Sequence, residues 1–223
     1  MRNFSNLLNG KRSKVLSRAE VLGCLCFNGF EIIHEGYAAG LFCFAAQKKT
    51  SPDLNGSTSY GPVITLPRIG KGGKTIKVYK MRTMHAYSEY LQEYVYRLND
   101  LQQNGKINKD FRITTAGRFM RRVWLDELPM VFNLLRGDLK LVGVRPLSKQ
   151  YFSLYDKKLR NKRIRHKPGL VPPYYADLPN SFNEIMKSEK GYLSSYEKNP
   201  VRTDIVYFFK AVYNIIFKKI RSN

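Results

Sequence analysis

The stretch WLDELPMVFNLLRGDLKLVGVRP, residues 124–146, decides the fold, because it sets two adjacent carboxylates and a later arginine around one short helix. Proline is tolerated in the first turn of a helix but not in its interior, so Pro129 predicts a helix beginning at about Asp126 and Glu127. The acidic pair then sits at the positive helix end, where free backbone N–H groups favour an anion. That placement predicts a lowered carboxyl pKa, leaving Asp126 available as a nucleophile or metal ligand. Val131, Phe132, Leu134 and Leu135 are expected to anchor the helix, and Gly137 to end it. Leu139, Leu141, Val142 and Val144 read as a buried strand that stops at Arg145-Pro146. The structural alternative makes Asp126 a helix cap and Glu127 a first-turn charge.

Composition points to anionic partners. Lys and Arg number 39 against 17 Asp and Glu, a formal net charge of +22, which attracts lipid headgroups, nucleotides and nucleic acid alike. The 223 residues suit one catalytic domain with an appendage, and a hydrophobic content of 43% supports a real core. The first 20 residues are polar and basic, without the apolar segment of a signal peptide, and the odd cysteine count of three argues for a reducing compartment. A metal site from Cys24, Cys26 and His34 lacks zinc-site spacing, and the thiols Cys24, Cys26 and Cys43 read better as small buried hydrophobes.

Ser17-Arg18-Ala19-Glu20 is a capping box, predicting a helix over Ser17–Asn28 ended by Gly29. Phe30–Ile33 and Leu41–Ala46 read as a hairpin. Gln47–Pro62 has linker composition. Val63–Leu66 and Thr75–Met84 read as strands joined at Gly70–Gly73. Gly73-Lys74-Thr75 imitates the end of a phosphate-binding loop, but its required first glycine would fall on Arg68, and a strand follows where a helix is needed. The two-residue period puts Ile76, Val78, Lys80 and Arg82 on one face. Tyr90, Leu91, Tyr94, Val95 and Leu98 make a helical stripe over Ser88–Asn99. Asp110–Arg122 is basic with interleaved Phe111 and Phe119, yet no nucleic-acid-binding motif accompanies it. Thr203–Arg221 reads as an interfacial amphipathic helix. Its polar stripe is Lys210, Asn214, Lys218 and Arg221, and its apolar surface is Ile205, Phe208, Phe209, Val212, Ile215, Ile216 and Phe217.

From about Gly61 to Phe209 the chain resembles the bacterial sugar transferases, the monotopic polyprenyl-phosphate phosphoglycosyl transferases that initiate O-antigen, capsule and exopolysaccharide assembly. The pieces are Lys80-Met81-Arg82-Thr83-Met84, Asp110, Arg112 and Thr114, Gly117-Arg118-Phe119, Leu125-Asp126-Glu127-Leu128-Pro129, Asn133, Gly137-Asp138, Leu141-Val142-Gly143, Arg145-Pro146-Leu147 and Lys167-Pro168-Gly169. Each is weak alone; their order and spacing together are specific. The chain departs where LVPPYYADLP follows Lys167-Pro168-Gly169 and where Val144 replaces a common proline, which bears on substrate identity more than on reaction type.

The resemblance implies an α/β (α+β) fold, a small mixed sheet with surrounding helices. It implies a catalytic domain at 61–223, after a helix-plus-hairpin appendage and linker at 1–60 resembling the tail end of a larger α/β domain. It implies transfer of a sugar 1-phosphate from a UDP-sugar to polyprenyl (undecaprenyl) phosphate through a covalent intermediate on Asp126. Glu127 would help hold Mg²⁺, with Asp110 a further metal contact or else the partner of Arg112. Lys80, Arg82, Arg112, Arg118 and Arg145 would meet the phosphates. The family opens with Lys-Arg and a long uncharged helix that dips into the membrane. Here Lys11-Arg12 is followed by Glu20, Glu31, His34 and Glu35, with no apolar run near the roughly 18 residues a span needs. The expectation is therefore a shortened relative, its membrane hairpin absent or replaced, monotopic or peripheral at the cytoplasmic face of the bacterial inner membrane. The alternatives are an inactive basic scaffold of polysaccharide assembly and a nucleic-acid-binding protein; the intact dyad opposes the first and the missing motifs the second.

Overall fold

The computed structural model describes residues 16–52, 60–98 and 110–218, and they fall into two compact units. The expected linker lies partly outside the described residues, at 53–59, and Lys11, Arg12 and Arg221 lie wholly outside them.

The first unit contains 16–52 and 84–98. Ser17 and Glu20 close the capping box, Glu20 N donating to Ser17 Oγ at 3.2 Å and Ser17 N to Glu20 Oε2 at 3.0 Å, and start helix α1, Arg18–Phe27. Gly29, at φ 78°, leads into strand β1, Phe30–Ala38, which pairs antiparallel with β2, Leu41–Lys48. Both strands run past their predicted ends. Glu35, which interrupts the apolar pattern, stays in the strand because Arg18 and the Tyr94 hydroxyl (2.5 Å) bond its carboxylate. Ala39 and Gly40 turn the hairpin at φ 48° and 77°, both left-handed as the tightest hairpins require. A short 3₁₀ turn, Ser88–Leu91, leads into α2, Gln92–Leu98, whose stripe is buried at Leu91 and Val95 and opens to solvent at Leu98.

The second unit holds 60–83 and 110–218. Strands β3, Val63–Ile69, and β4, Thr75–Met81, pair antiparallel around Lys71–Gly73, the hairpin that was expected. Thr114 caps α3, Thr115–Arg122; then come α4, Met130–Leu135, and β5, Lys140–Val142. After α5, Lys149–Ser153, and α6, Lys157–Ile164, strand β6, Gly169–Val171, lies parallel to β5. The chain ends with α7, Tyr174–Asp177, α8, Phe182–Lys198, and α9, Pro200–Phe217. The mixed α/β class holds, with strands distributed over three two-stranded sheets, two antiparallel and one parallel. The core gathers Val142, Val144, Leu147, Tyr155, Leu159, Tyr192 and Leu193; a smaller cluster joins Val78, Met130 and Leu139.

Three expectations are corrected. In α4 the buried residues are Met130 and Asn133, while Val131, Phe132 and Leu135 face solvent. Asn133 sets that orientation, donating to Lys77 O at 2.7 Å and accepting from Tyr79 N at 3.0 Å, which turns its side of the helix onto β4. The strand expected over Leu139–Val144 shortens to Lys140–Val142, and Leu141 is exposed while its neighbour Val142 is buried. In α9 the expected polar stripe breaks at Asn214, which is buried and donates to Tyr175 O and Ala176 O at 3.0 and 2.9 Å. Those carbonyls end the short helix α7 and need donors, which an amide supplies and an aliphatic side chain cannot. Thr203 and Ala211 turn inward with Asn214, while Ile205, Phe209, Ile216 and Phe217 point outward. Among the described residues no helix is long and apolar enough to cross a membrane.

Candidate active site

Asp126 and Glu127 lie in a 3₁₀ turn, Leu125–Glu127, immediately before α4. The turn is entered through Trp124 at φ 64°, a left-handed conformation costing a non-glycine residue on the order of 1 kcal/mol. Packing holds it there, the Trp124 ring meeting Tyr175 edge-on at 4.5 Å. Glu127 N donates to Trp124 O at 3.2 Å, and Leu128 N to Leu125 O at 3.3 Å. Both carboxylates are buried, at 5% and 8% exposure, although the apolar residues beside them, Leu125 and Leu128, are exposed.

Lys80 joins the pair from β4. Its Nζ donates to Glu127 Oε1 at 2.7 Å and stands 3.9 Å from Asp126 Oδ2. Asp126 Oδ1 is buried and has no hydrogen-bond partner among the described residues. The carboxyl pKa of Asp126 is raised, the reverse of the expectation. Burial is the largest cause and the Glu127 charge adds to it, outweighing Lys80 and Arg121. Burial likewise pulls the Lys80 ammonium down, against the upward pull of Glu127. A buried, unpaired anionic oxygen is costly, so this arrangement suits a group that gains by bonding an electrophile or a cation.

Arg145 follows β5. Its Nη1 donates to the Tyr174 hydroxyl at 3.0 Å, and its carbonyl accepts from Arg163 Nη2 at 2.6 Å. Arg163 is in turn ion-paired with buried Glu189 and lies 4.8 Å over the Tyr155 ring. Arg145 is close enough to influence the titration of Lys80, and Glu127 raises the Arg145 pKa after the larger contribution of Tyr174.

The remaining sequence candidates are placed differently. Arg112 is buried and forks onto Asp110, Nε to Oδ1 at 2.9 Å and Nη2 to Oδ2 at 2.7 Å, so the ion-pair alternative is the arrangement present. Arg82 Nε donates to Gly61 O at 3.0 Å, and exposed Arg118 bonds locally to Ile113 O and Thr115 Oγ1. Arg121 was missed. Its Nε donates to Thr83 Oγ1 at 3.0 Å, and Asp126 and Asp110 are the charges that most raise its pKa against burial. A signal was present, since Gly117 lies four residues earlier on the same helical face. A Cβ there would come within 2.0 Å of Thr83 O, so this face of α3 is pressed onto the Thr83 backbone. Tyr174 and Tyr175, whose rings meet at 4.3 Å, come from the segment that departs from the family pattern.

No group of three or more His, Cys, Asp or Glu that could hold a metal occurs among the described residues. Two adjacent carboxylates with one uncommitted oxygen are still an adequate protein contribution for Mg²⁺, which commonly takes one or two carboxylates and completes its shell from water and substrate phosphate.

Residues 54–218 match the sequence profile of the family described as bacterial sugar transferase. The chain is 32% identical over 143 residues to the galactosyl transferase CpsE of Streptococcus agalactiae serotype III, covering 61% of this chain and 31% of that protein. It is 30% identical over 167 residues to the UDP-N-acetylgalactosamine-undecaprenyl-phosphate N-acetylgalactosaminephosphotransferase of Aeromonas hydrophila, covering 71% and 36%. It is 35% identical over 152 residues to the undecaprenyl-phosphate galactose phosphotransferase of Salmonella typhimurium, covering 64% and 31%. The matched part thus spans 31–36% of the length of these relatives.

Proposed function

The chain belongs to the bacterial sugar transferase family, and from that premise we propose that it moves a sugar 1-phosphate from a UDP-sugar to polyprenyl phosphate, the first step in building a surface polysaccharide. The observation that carries this reading is the buried, unpartnered Asp126 Oδ1 beside a lysine already held by Glu127. The relatives named as phosphotransferases acting on undecaprenyl phosphate support the same reaction class.

Asp126 Oδ1 attacks the phosphorus that bears the sugar, and the bond from that phosphorus to the bridging oxygen breaks. UMP leaves with the electron pair, and an aspartyl phosphosugar remains. A phosphate oxygen of the polyprenyl acceptor then attacks the same phosphorus, forming a diphosphate-linked lipid sugar and regenerating the carboxylate. Lys80 orients the dyad, and Arg145 and Arg121 oppose the negative charge gathering at phosphorus. Glu127 and, before attack, Asp126 are the residues that would hold Mg²⁺; Asp110 could add a ligand only by releasing Arg112. When bound, Mg²⁺ supplies neutralisation of the diphosphate charge. Incubation of the purified chain with a panel of UDP-sugars, Mg²⁺ and undecaprenyl phosphate is expected to release UMP with at least one donor; no release from any of them rejects the reading.

Access to a lipid acceptor is proposed to come from peripheral attachment to the cytoplasmic face of the membrane. Phe132 and Leu135 on α4 are 64% and 79% exposed, and Phe209 and Phe217 on α9 are 65% and 68% exposed. Such apolar faces on a chain of net charge +22 suit an anionic headgroup boundary. Vesicles containing phosphatidylglycerol are expected to bind the protein, less so as salt rises. The combined substitution Phe209→Ser and Phe217→Ser should weaken binding about tenfold without lowering the melting temperature, because both rings are already exposed. Unchanged vesicle affinity in that variant places the anchor elsewhere.

A further inference from the structure

Arg68 entered the sequence reading only as the residue that spoils a phosphate-binding loop, yet the fold brings it to the site. The β3–β4 register pairs Ile64 with Lys80, Leu66 with Val78 and Arg68 with Ile76. Directly opposed residues of an antiparallel pair share a face, as do residues two apart, so Arg68 and Lys80 project from the same face of the hairpin. They are about 13 Å apart along it, four residues of strand. Ile69 N donates to Leu147 O at 2.9 Å, which fastens the strand beside Arg68 to the segment two residues beyond Arg145. Lys80, Arg145 and Arg68 therefore line one rim in that order.

Arg68 is under-compensated, whereas Arg145 also feels the Glu127 charge. Among the described residues neither forms an ion pair with a carboxylate; Arg68 Nη1 donates to Pro67 O at 2.9 Å, and Arg145 Nη1 to the neutral Tyr174 hydroxyl at 3.0 Å. Burial lowers the Arg68 pKa, and the charge of Arg145 lowers it further. Neighbouring guanidinium groups repel one another and present forked donors, an arrangement that a phosphoryl group relieves by accepting from both.

We infer that Arg68 extends the phosphate-binding rim at Arg145 into a phosphoryl subsite, beside the dyad and Lys80, that takes a phosphate monoester. The inference rests on the transferase reading, under which two monoesters visit the site, the departing nucleoside monophosphate and the lipid phosphate acceptor. The test uses the full chain, its Arg68→Gln variant and the conservative Arg68→Lys. One arm measures UMP and inorganic phosphate binding by calorimetry, and the other measures the KM for undecaprenyl phosphate. Arg68→Gln is expected to lose about tenfold or more in one arm at unchanged melting temperature, with partial rescue by Arg68→Lys. Loss of UMP affinity assigns the subsite to the leaving group, and a raised acceptor KM assigns it to the lipid phosphate. Wild-type values in both arms overturn the subsite even if the enzyme turns over normally. Failure of every UDP-sugar to yield UMP, with phosphate binding still lost in Arg68→Gln, instead rejects the transferase reading and keeps the subsite.

Discussion

Asp126→Asn is expected to reduce UMP release by at least about 10³-fold and to abolish the covalent phosphosugar adduct in intact-protein mass spectrometry, because an amide is not a competent nucleophile toward phosphorus. The same substitution should leave the melting temperature at neutral pH unchanged or higher. The folded-state pKa of Asp126 is raised by burial, so its contribution to stability is complete below the unfolded pKa and is lost as pH rises through the folded value. At neutral pH the ionised carboxylate thus destabilises the fold, and Asn removes that cost. For the same reason the acid limb of kcat/KM should lie above the ordinary aspartate range, since attack requires the ionised form. An Asn variant that retains near-normal turnover rejects the covalent mechanism; one that is inactive but also unfolded assigns Asp126 a structural role.

Asn133→Leu is expected to be the most destabilising single change beneath the site, by about 3–5 kcal/mol, with a fall in melting temperature of about 10 °C. The Asn133 side chain is 0% exposed and serves two backbone groups of β4, Tyr79 N and Lys77 O, while its Nδ2 also lies 3.2 Å from Asp138 Oδ2. Leucine has similar volume but satisfies none of them, so a buried donor and a buried acceptor are left unpaired. Because Asn133 holds α4 against the strand that carries Lys80, activity should fall together with stability. Thermal unfolding followed by circular dichroism checks the first effect; a melting temperature within about 1 °C of wild type removes Asn133 from that role.

Local signals in the chain were sufficient wherever a single element or turn decides the outcome. The capping box at Ser17 and Glu20 starts α1 as expected, because its bonds close within four residues. The same holds for the β3–β4 hairpin in place of a phosphate-binding loop, since the residues after Gly73 alternate as a strand. Lys80 was legible only as a cation expected to meet phosphate; its hydrogen bond to Glu127 was not.

The direction in which each short helix faces was not legible. A six-residue helix such as α4 has too few turns for apolar periodicity to define a buried stripe, and Asn133 decides its orientation through bonds to residues more than 50 positions away. In α9 the apolar residues outnumber those the core accommodates, so small size at Thr203 and Ala211 and amide bonding at Asn214 choose the buried side, and the aromatics remain outside. The sign of the Asp126 shift follows the same rule. A helix-end argument needs only the local sequence, but desolvation depends on everything packed around the carboxylate, and here it is the larger effect.

By itself the amino-acid sequence determined the family and the mixed α/β class, because these rest on residue identity and short spacings. Only the tertiary structure decided that Arg112 is committed to Asp110, that Arg121, Tyr174 and Arg68 join the rim, and that the apolar faces of α4 and α9 look outward. Those outcomes depend on which distant backbone groups and charges meet, and contacts across such separations leave no periodic trace along the chain.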